Sequence, residues 1–375
     1  MAHIAELKHV PCFFTMPFCG AAQIASLTLT LFVTTSSAPV KLIIDTDFGG
    51  GGCKDVDDVT AVAIAHALMT GGEAELLAIM LDTAPVRCSG AISVLNHYYG
   101  RDGTVPIGAY DVQTPSATLE MEEPLPYVNH MVDHFPSLIK NSSQAEDAVA
   151  LYRQVLATQP DRSVTISSIG IHTNLAALLR SEADRHSGLS GRDLIKQKVR
   201  LLAVMGGQYP ASGVYPECNL CGGRSNQHNQ GVASAASSFV ARHWPEESEI
   251  IWSGFEVGRQ VKTGGARFQS CSMAALDRNP VAAAIVNFRG GPDQSWYSWD
   301  PLTTLMAVRG ADTAGCTKCR HCSGVNAIDA DTGRNAWVSG QRSNQTYLLL
   351  QDAEKASKLI DDLLCQPPSA RVQLV

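Results

Sequence analysis

Short apolar runs alternate with amphipathic stretches along most of the chain. "VKLIID" (40–45) is β-rich and shows no helical spacing, so it reads as a buried strand. "VDDVTAVAIAHALMTGG" (56–72) places apolar residues at helical spacing and stops on glycines, which marks a helix and its end. The pair then recurs. Strands are expected at "AELLAIML" (74–81), "VPIGAY" (105–110), "SVTISSIG" (163–170), "VRLLAVMGG" (199–207) and "EIIWSG" (249–254). Helices are expected between them at 84–100, 146–158, 172–181 and 231–244. Such alternation predicts a single-domain α/β fold, a mainly parallel, doubly wound (Rossmann-like) sheet flanked by helices. Ligands of such sheets sit beyond the carboxyl ends of the strands. There the chain carries "DTDFGGGG", "DTAP" and "MGGQYPASGVYPECN".

Composition narrows the partners. The chain has 375 residues, 45% hydrophobic and 17% charged, with a formal net charge of −7. No block of Lys and Arg interrupts it, which argues against a nucleic-acid polymer or an anionic membrane surface as partner. "AAQIASLTLTLFV" (21–33) followed by "TTSSA" fits an apolar leader with a small-residue cleavage site, and the apolar run is short for a membrane span. Residues 1–38 are therefore expected to be a signal peptide or a disordered extension, and 39–375 the folded domain. A secreted or extracytoplasmic location follows from the first choice, a cytoplasmic one from the second. The sequons at Asn141 and Asn344 agree with secretion. Of 11 cysteines, Cys12 and Cys19 fall in the leader and leave an odd number behind. "CNLC" (218–221) and "CTKCRHC" (316–322) admit either disulfides or a zinc site.

The strongest chemical signal is five aspartates within 14 residues: Asp45, Asp47, Asp55, Asp57 and Asp58, with four glycines among them. Crowded carboxylates repel one another, and a divalent cation relieves that repulsion. Hard oxygen ligands select Ca²⁺ or Mg²⁺. The plain alternative is a solvated acidic loop with Asp57 or Asp58 favouring a helix N-terminus. Phosphate-loop readings fail: "GGGGCKD" lacks the Gly-Lys-Ser/Thr ending and the G-x-G-x-x-G frame.

"DTDFG…DVDD" after an apolar strand resembles the opening motif of the inosine-uridine nucleoside hydrolase family. "VTISSIGIHTNLAALL", "LLAVMGG", "PECNL" (216–220) and "SWDPLTTLMAV" (298–308) resemble its later motifs, in the family's order. The resemblance implies Ca²⁺ held by Asp47, Asp58, the Thr173 carbonyl and Asp300. Asp47 would also be the general base toward a water held by the metal. It implies that Asp57, Glu217 and Asn219 grip the ribose and that Asp82 lies beside it. Trp299 stands where many members place a leaving-group His, as in a purine-preferring branch that stacks Trp on the base. The implied activity is hydrolysis of purine ribonucleosides to base and ribose, and the implied assembly a homodimer or homotetramer.

Two segments depart from the pattern. "GGGCK" is inserted between Gly49 and Asp55, and "CGGRSNQHNQ" (221–230) replaces the usual acidic run. The insertion keeps open a non-catalytic relative that binds nucleoside or Ca²⁺. A haloacid dehalogenase-type phosphatase is the third reading, through "DTD" after a strand. It expects a hydroxyl residue where "FGGGG" stands.

Overall fold

The computed structural model describes residues 38–50, 53–110, 119–272, 276–341 and 343–368. Residues 1–37, where the leader is expected, lie outside them. The strands are β1 (Val40–Thr46), β2 (Ala74–Leu81), β3 (Ile107–Ala109), β4 (Glu146–Asp147), β5 (Val164–Ser168), β6 (Val199–Met205) and β7 (Glu249–Ser253). They continue with β8 (Lys262–Gly264), β9 (Ser295–Tyr297), β10 (Cys316–Lys318), β11 (Gly324–Ile328), β12 (Asn335–Ser339) and β13 (Gln345–Leu350).

Nine strands form one sheet in the order β10-β13-β7-β6-β5-β1-β2-β3-β4. Every pair is parallel except the edge pair β10–β13. The chain starts in the middle, winds outward through β2, β3 and β4, then crosses back to β5 on the other side of β1. The order therefore reverses between β1 and β5, and at such a switch point the flanking loops part and leave a crevice.

Both sheet faces are covered, which explains the near-continuous apolar strands. Side chains alternate between two cores: Leu42 and Ile44 of β1 face one, Ile43 the other. Likewise Leu201, Ala203 and Met205 of β6 face the first, and Leu202 and Val204 the second. The helix Asp57–Thr70 is buried at every residue from Asp57 to Leu68. It is apolar on nearly all sides because the sheet and the helices Trp299–Arg309 and Ala353–Leu364 all pack against it. That packing brings the early aspartates against a segment more than 240 residues later. The small ribbons β8–β9 and β11–β12 were not anticipated from the sequence. Among the described residues no helix is long and apolar enough to cross a membrane.

Disulfides join Cys53 to Cys218, Cys271 to Cys365 and Cys319 to Cys322, and Cys88, Cys221 and Cys316 are buried thiols. The zinc alternative fails for this reason: three of its five candidate sulfurs are already bonded. Three thiols stay unpaired rather than the single one that an odd count requires.

Candidate active site

Asp45 and Asp47 sit at the end of β1 and Asp82 just beyond β2, all buried. Asp45 is held inside the fold: its Oδ2 accepts from the Tyr152 hydroxyl at 2.6 Å and its Oδ1 from Asn174 Nδ2 at 3.4 Å. Asp47 Oδ2 has no hydrogen-bond partner, nor has either side-chain oxygen of Asp82. On the β5 side of the switch point, Gly170 presses against both; a Cβ there would run into Asp82 Oδ2 and the Asp47 amide. Thr173, first residue of the helix Thr173–Arg180, donates its hydroxyl to the Asp82 carbonyl at 2.7 Å.

The first turn of the helix Asp57–Thr70 supplies Asp57 and Asp58, where its N-terminal dipole favours negative charge. Asp58 Oδ1 accepts from the Thr46 hydroxyl, and its Oδ2 is unpartnered. Asp57 Oδ2 accepts the backbone N–H of Asp300 at 3.1 Å, and its Oδ1 is unpartnered. Asp55, Asp57 and Asp300 each bring a carboxylate oxygen to within 4.8 Å of the others. Asp55 was counted in the cluster from sequence but given no role. Its signal was the extra acid before "DD".

Burial is the main force on every one of these carboxyls. It raises Asp58 to about 7, with Asp57 adding repulsion. Asp45 rises to about 6 for the same first reason, and burial raises Asp57 as well. Asp47, Asp55, Asp82 and Asp300 lie well above the ordinary carboxylate range, pushed by burial and then by neighbouring acids. Among the described residues, no Lys, Arg or His lines the crypt where Asp47, Asp55 and Asp300 meet. Unpartnered, buried, hard oxygens with no internal cation suit a divalent ion such as Ca²⁺.

The crypt is a cavity of about 70 Å³ lined by Asp47, Asp55, Glu217, Asn219, Trp299 and Asp300 among others. Glu217 and Asn219 hold its wall. Glu217 caps the short helix Cys218–Cys221: its Oε1 accepts Asn219 N–H at 2.9 Å, and its Oε2 accepts Gly207 N–H at 2.9 Å. Burial lifts its carboxyl to about 7. The Asn219 amide donates to the Ile169 and Met205 carbonyls at 3.1 and 3.3 Å, bridging the ends of β5 and β6. Trp299 stacks on Phe255, with centroids 5.3 Å apart and planes 22° apart, and its indole N–H donates to the Phe255 carbonyl at 2.9 Å. Phe255 was not singled out from sequence, although it follows the carboxyl end of β7. Nearby, Trp296 lies edge-on 6.5 Å from Trp299, and Tyr209 stacks on Tyr347.

Fold and site together define an α/β enzyme whose acids, from distant parts of the chain, close around one cation-sized space at the sheet's switch point. The chain matches the inosine-uridine preferring nucleoside hydrolase family over residues 42–356, and it belongs to that family. N-ribohydrolase activity is the activity that membership supports. An inosine-guanosine nucleoside hydrolase superposes with a TM-score of 0.63 at 18% identity, covering 86% of this chain and 98% of that one. A purine-preferring ribonucleoside hydrolase from Gardnerella vaginalis gives 0.57 at 17%, covering 87% and 99%. The type III effector protein XopQ, solved with adenosine diphosphate ribose, gives 0.60 at 15%, covering 88% and 94%. At these identities the likeness is one of fold. No curated protein matches the chain significantly.

Proposed function

We propose that the protein hydrolyses the N-glycosidic bond of purine ribonucleosides to free base and ribose, with Ca²⁺ in the crypt. The observation that carries this reading is the set of buried carboxylate oxygens without partners, Asp47 Oδ2, Asp57 Oδ1 and Asp58 Oδ2, beside the Trp299–Phe255 stack. Asp47, Asp58, Asp300 and the Thr173 carbonyl would hold the ion, and Asp55 and Asp57 each bring a carboxylate oxygen within 4.8 Å of one on Asp300. An ion bound there would lower the pKa of a water and help to orient the ribose hydroxyls.

The chain's own residues do the rest. Asp47 takes the proton of the attacking water through its uncommitted oxygen. Positive charge builds on the ribose ring as the bond to the base breaks, and the surrounding carboxylates stabilise it. Asp57 and Asp82 offer acceptors to the sugar hydroxyls, and Glu217 and Asn219 fix the wall against which the sugar lies. Trp299 presents its indole to the departing purine, as its place in the family pattern suggests. Domain limits of 39–375 and secretion belong to the same reading, the latter supported by the three disulfides.

Incubating the purified full chain with inosine, with and without a chelator, tests the proposal. Release of reducing sugar that stops with chelator and returns with Ca²⁺ is expected; no release under any metal condition overturns it. A second reading, a relative that binds without turnover, rests on the insertion between Gly49 and Asp55. It predicts nucleoside binding with no sugar released.

A further inference from the structure

We propose that Asn141 carries an N-linked oligosaccharide and that the second sequon, at Asn344, carries none. This rests on the secreted reading, since such sequons are used in secreted chains. Both sites have the acceptor pattern, Asn-Ser-Ser at 141–143 and Asn-Gln-Thr at 344–346. The fold treats their amides differently.

At Asn344 the amide nitrogen is part of the architecture. Its Nδ2 donates to the Pro245 carbonyl at 3.1 Å and also to the Ser248 carbonyl. The Asn344 carbonyl accepts the Ile250 N–H at 2.9 Å. These bonds fix the residue before β13 against the segment that leads into β7. A sugar on Nδ2 removes one of its two hydrogens and needs room where those carbonyls lie. A chain modified there cannot close this contact.

At Asn141 the amide nitrogen is uncommitted. The Asn141 Oδ1 accepts the Ser143 N–H at 3.1 Å and the Ser143 hydroxyl at 2.5 Å. Its Nδ2 makes no hydrogen bond among the described residues. The sequon's hydroxyl is thus already paired with its own Asn, in a side-chain turn of the kind Asn forms readily. The segment around it is held in place. The Leu138 and Ile139 N–H groups both donate to Ser93 Oγ at 3.1 Å, and the Ser142 N–H donates to the Val86 carbonyl at 2.7 Å. Residues 138–142 are therefore pinned to the helix Cys88–Tyr98 and to the chain just before it.

A second observation concerns the surroundings. Val86 is 42% and Leu138 64% exposed, two of the seven large apolar side chains left open among the described residues. Leu138 lies three residues before Asn141, and Val86 is bonded to the neighbouring Ser142. A bulky, solubilising oligosaccharide rooted at Asn141 would screen this pair from contact with other molecules. In the transfer, Nδ2 bonds to C1 of the oligosaccharide and the bond from C1 to a lipid pyrophosphate breaks. The pyrophosphate keeps the electron pair, and Nδ2 gives up one proton.

The test expresses the full chain, with its own leader, in a eukaryotic secretory host. Enzymatic release of the sugar in heavy-oxygen water converts each modified Asn to a labelled Asp, and peptide mass mapping reads its position. Label at Asn141 and none at Asn344 is expected. Ser143→Ala should abolish the label and Ser143→Thr should retain it. Thr346→Ala, which removes the second sequon but keeps the Asn344 amide, should leave the sugar mass unchanged. Asn141→Gln should raise the aggregated fraction of the secreted protein; aggregation no greater than that of the unaltered chain strikes out the screening role. Secreted protein with a bare Asn141, or with sugar at Asn344, overturns the proposal. If the chain stays inside the cell, the secreted reading fails. The same full chain behind an established cleavable leader then enters the pathway, and label at Asn141 or its absence still decides this one.

Discussion

Two buried charged regions of the molecule solve the same problem in opposite ways. Arg153, 2% exposed, is an ion-pair partner of Asp184 at 2.9 Å and also donates to the Ser187 and Leu189 carbonyls and the Ser181 hydroxyl. Its guanidinium holds Asp184 down at about 2. That charge is answered from within the chain, by one carboxylate and three neutral oxygens. The crypt gathers acids from the end of β1, the helix Asp57–Thr70 and the helix Trp299–Arg309, and among the described residues no Lys, Arg or His lines it. Compensation from within marks a piece of architecture, and missing compensation marks a place suited to something from outside.

Substitution should separate the two sharply. Asp47→Asn is expected to lower kcat by about 10³-fold, through loss of the proton acceptor. It should leave the melting temperature of the metal-free protein unchanged or raised, because one source of repulsion has gone. Arg153→Met should do the reverse: a loss of about 3 kcal/mol in urea unfolding, with kcat of the folded fraction retained. If Asp47→Asn destabilises as Arg153→Met does, the contrast collapses.

Proton linkage gives a second test. Crypt carboxyls raised from 3.8, Asp58 to about 7, bind more protons in the folded chain than in the unfolded one across that interval. Their contribution to stability is therefore present below about pH 4 and lost as pH rises toward 7. Chelated protein should melt at progressively lower temperature over that window. Ca²⁺ should restore stability near pH 7–8 and add little near pH 4, where protons occupy its ligands. A melting temperature that rises with pH in chelator contradicts the assignment. Smaller still, Trp299→Leu should cut kcat/KM for inosine roughly tenfold and for uridine less, as measured by parallel kinetics.

Much of the fold was legible in the sequence because both sheet faces are covered. A strand buried on both sides must be an apolar run, and "AELLAIML" coincides with β2, Ala74–Leu81. The three-residue β3 and two-residue β4 lack room for a pattern, and β8 to β12 are short ribbons and edges set by tertiary contacts. For the site, Asp47, Asp57, Asp58 and Asp300 were singled out and meet in one place. Asp55 and Phe255 line the same crypt and were given no role, since chain spacing does not show which side of a loop faces inward. Cys53 and Cys218 are 165 residues apart, and no spacing rule pairs them.

That Cys53–Cys218 bond ties place of work to quality of work. It ties the loop before Asp55 to the wall carrying Glu217, and both of its cysteines line the acid crypt. Among cytosolic reductants the same polypeptide would carry every acid of the crypt without that covalent tie. The enzyme's address would then be written in its covalent chemistry as much as in any leader sequence.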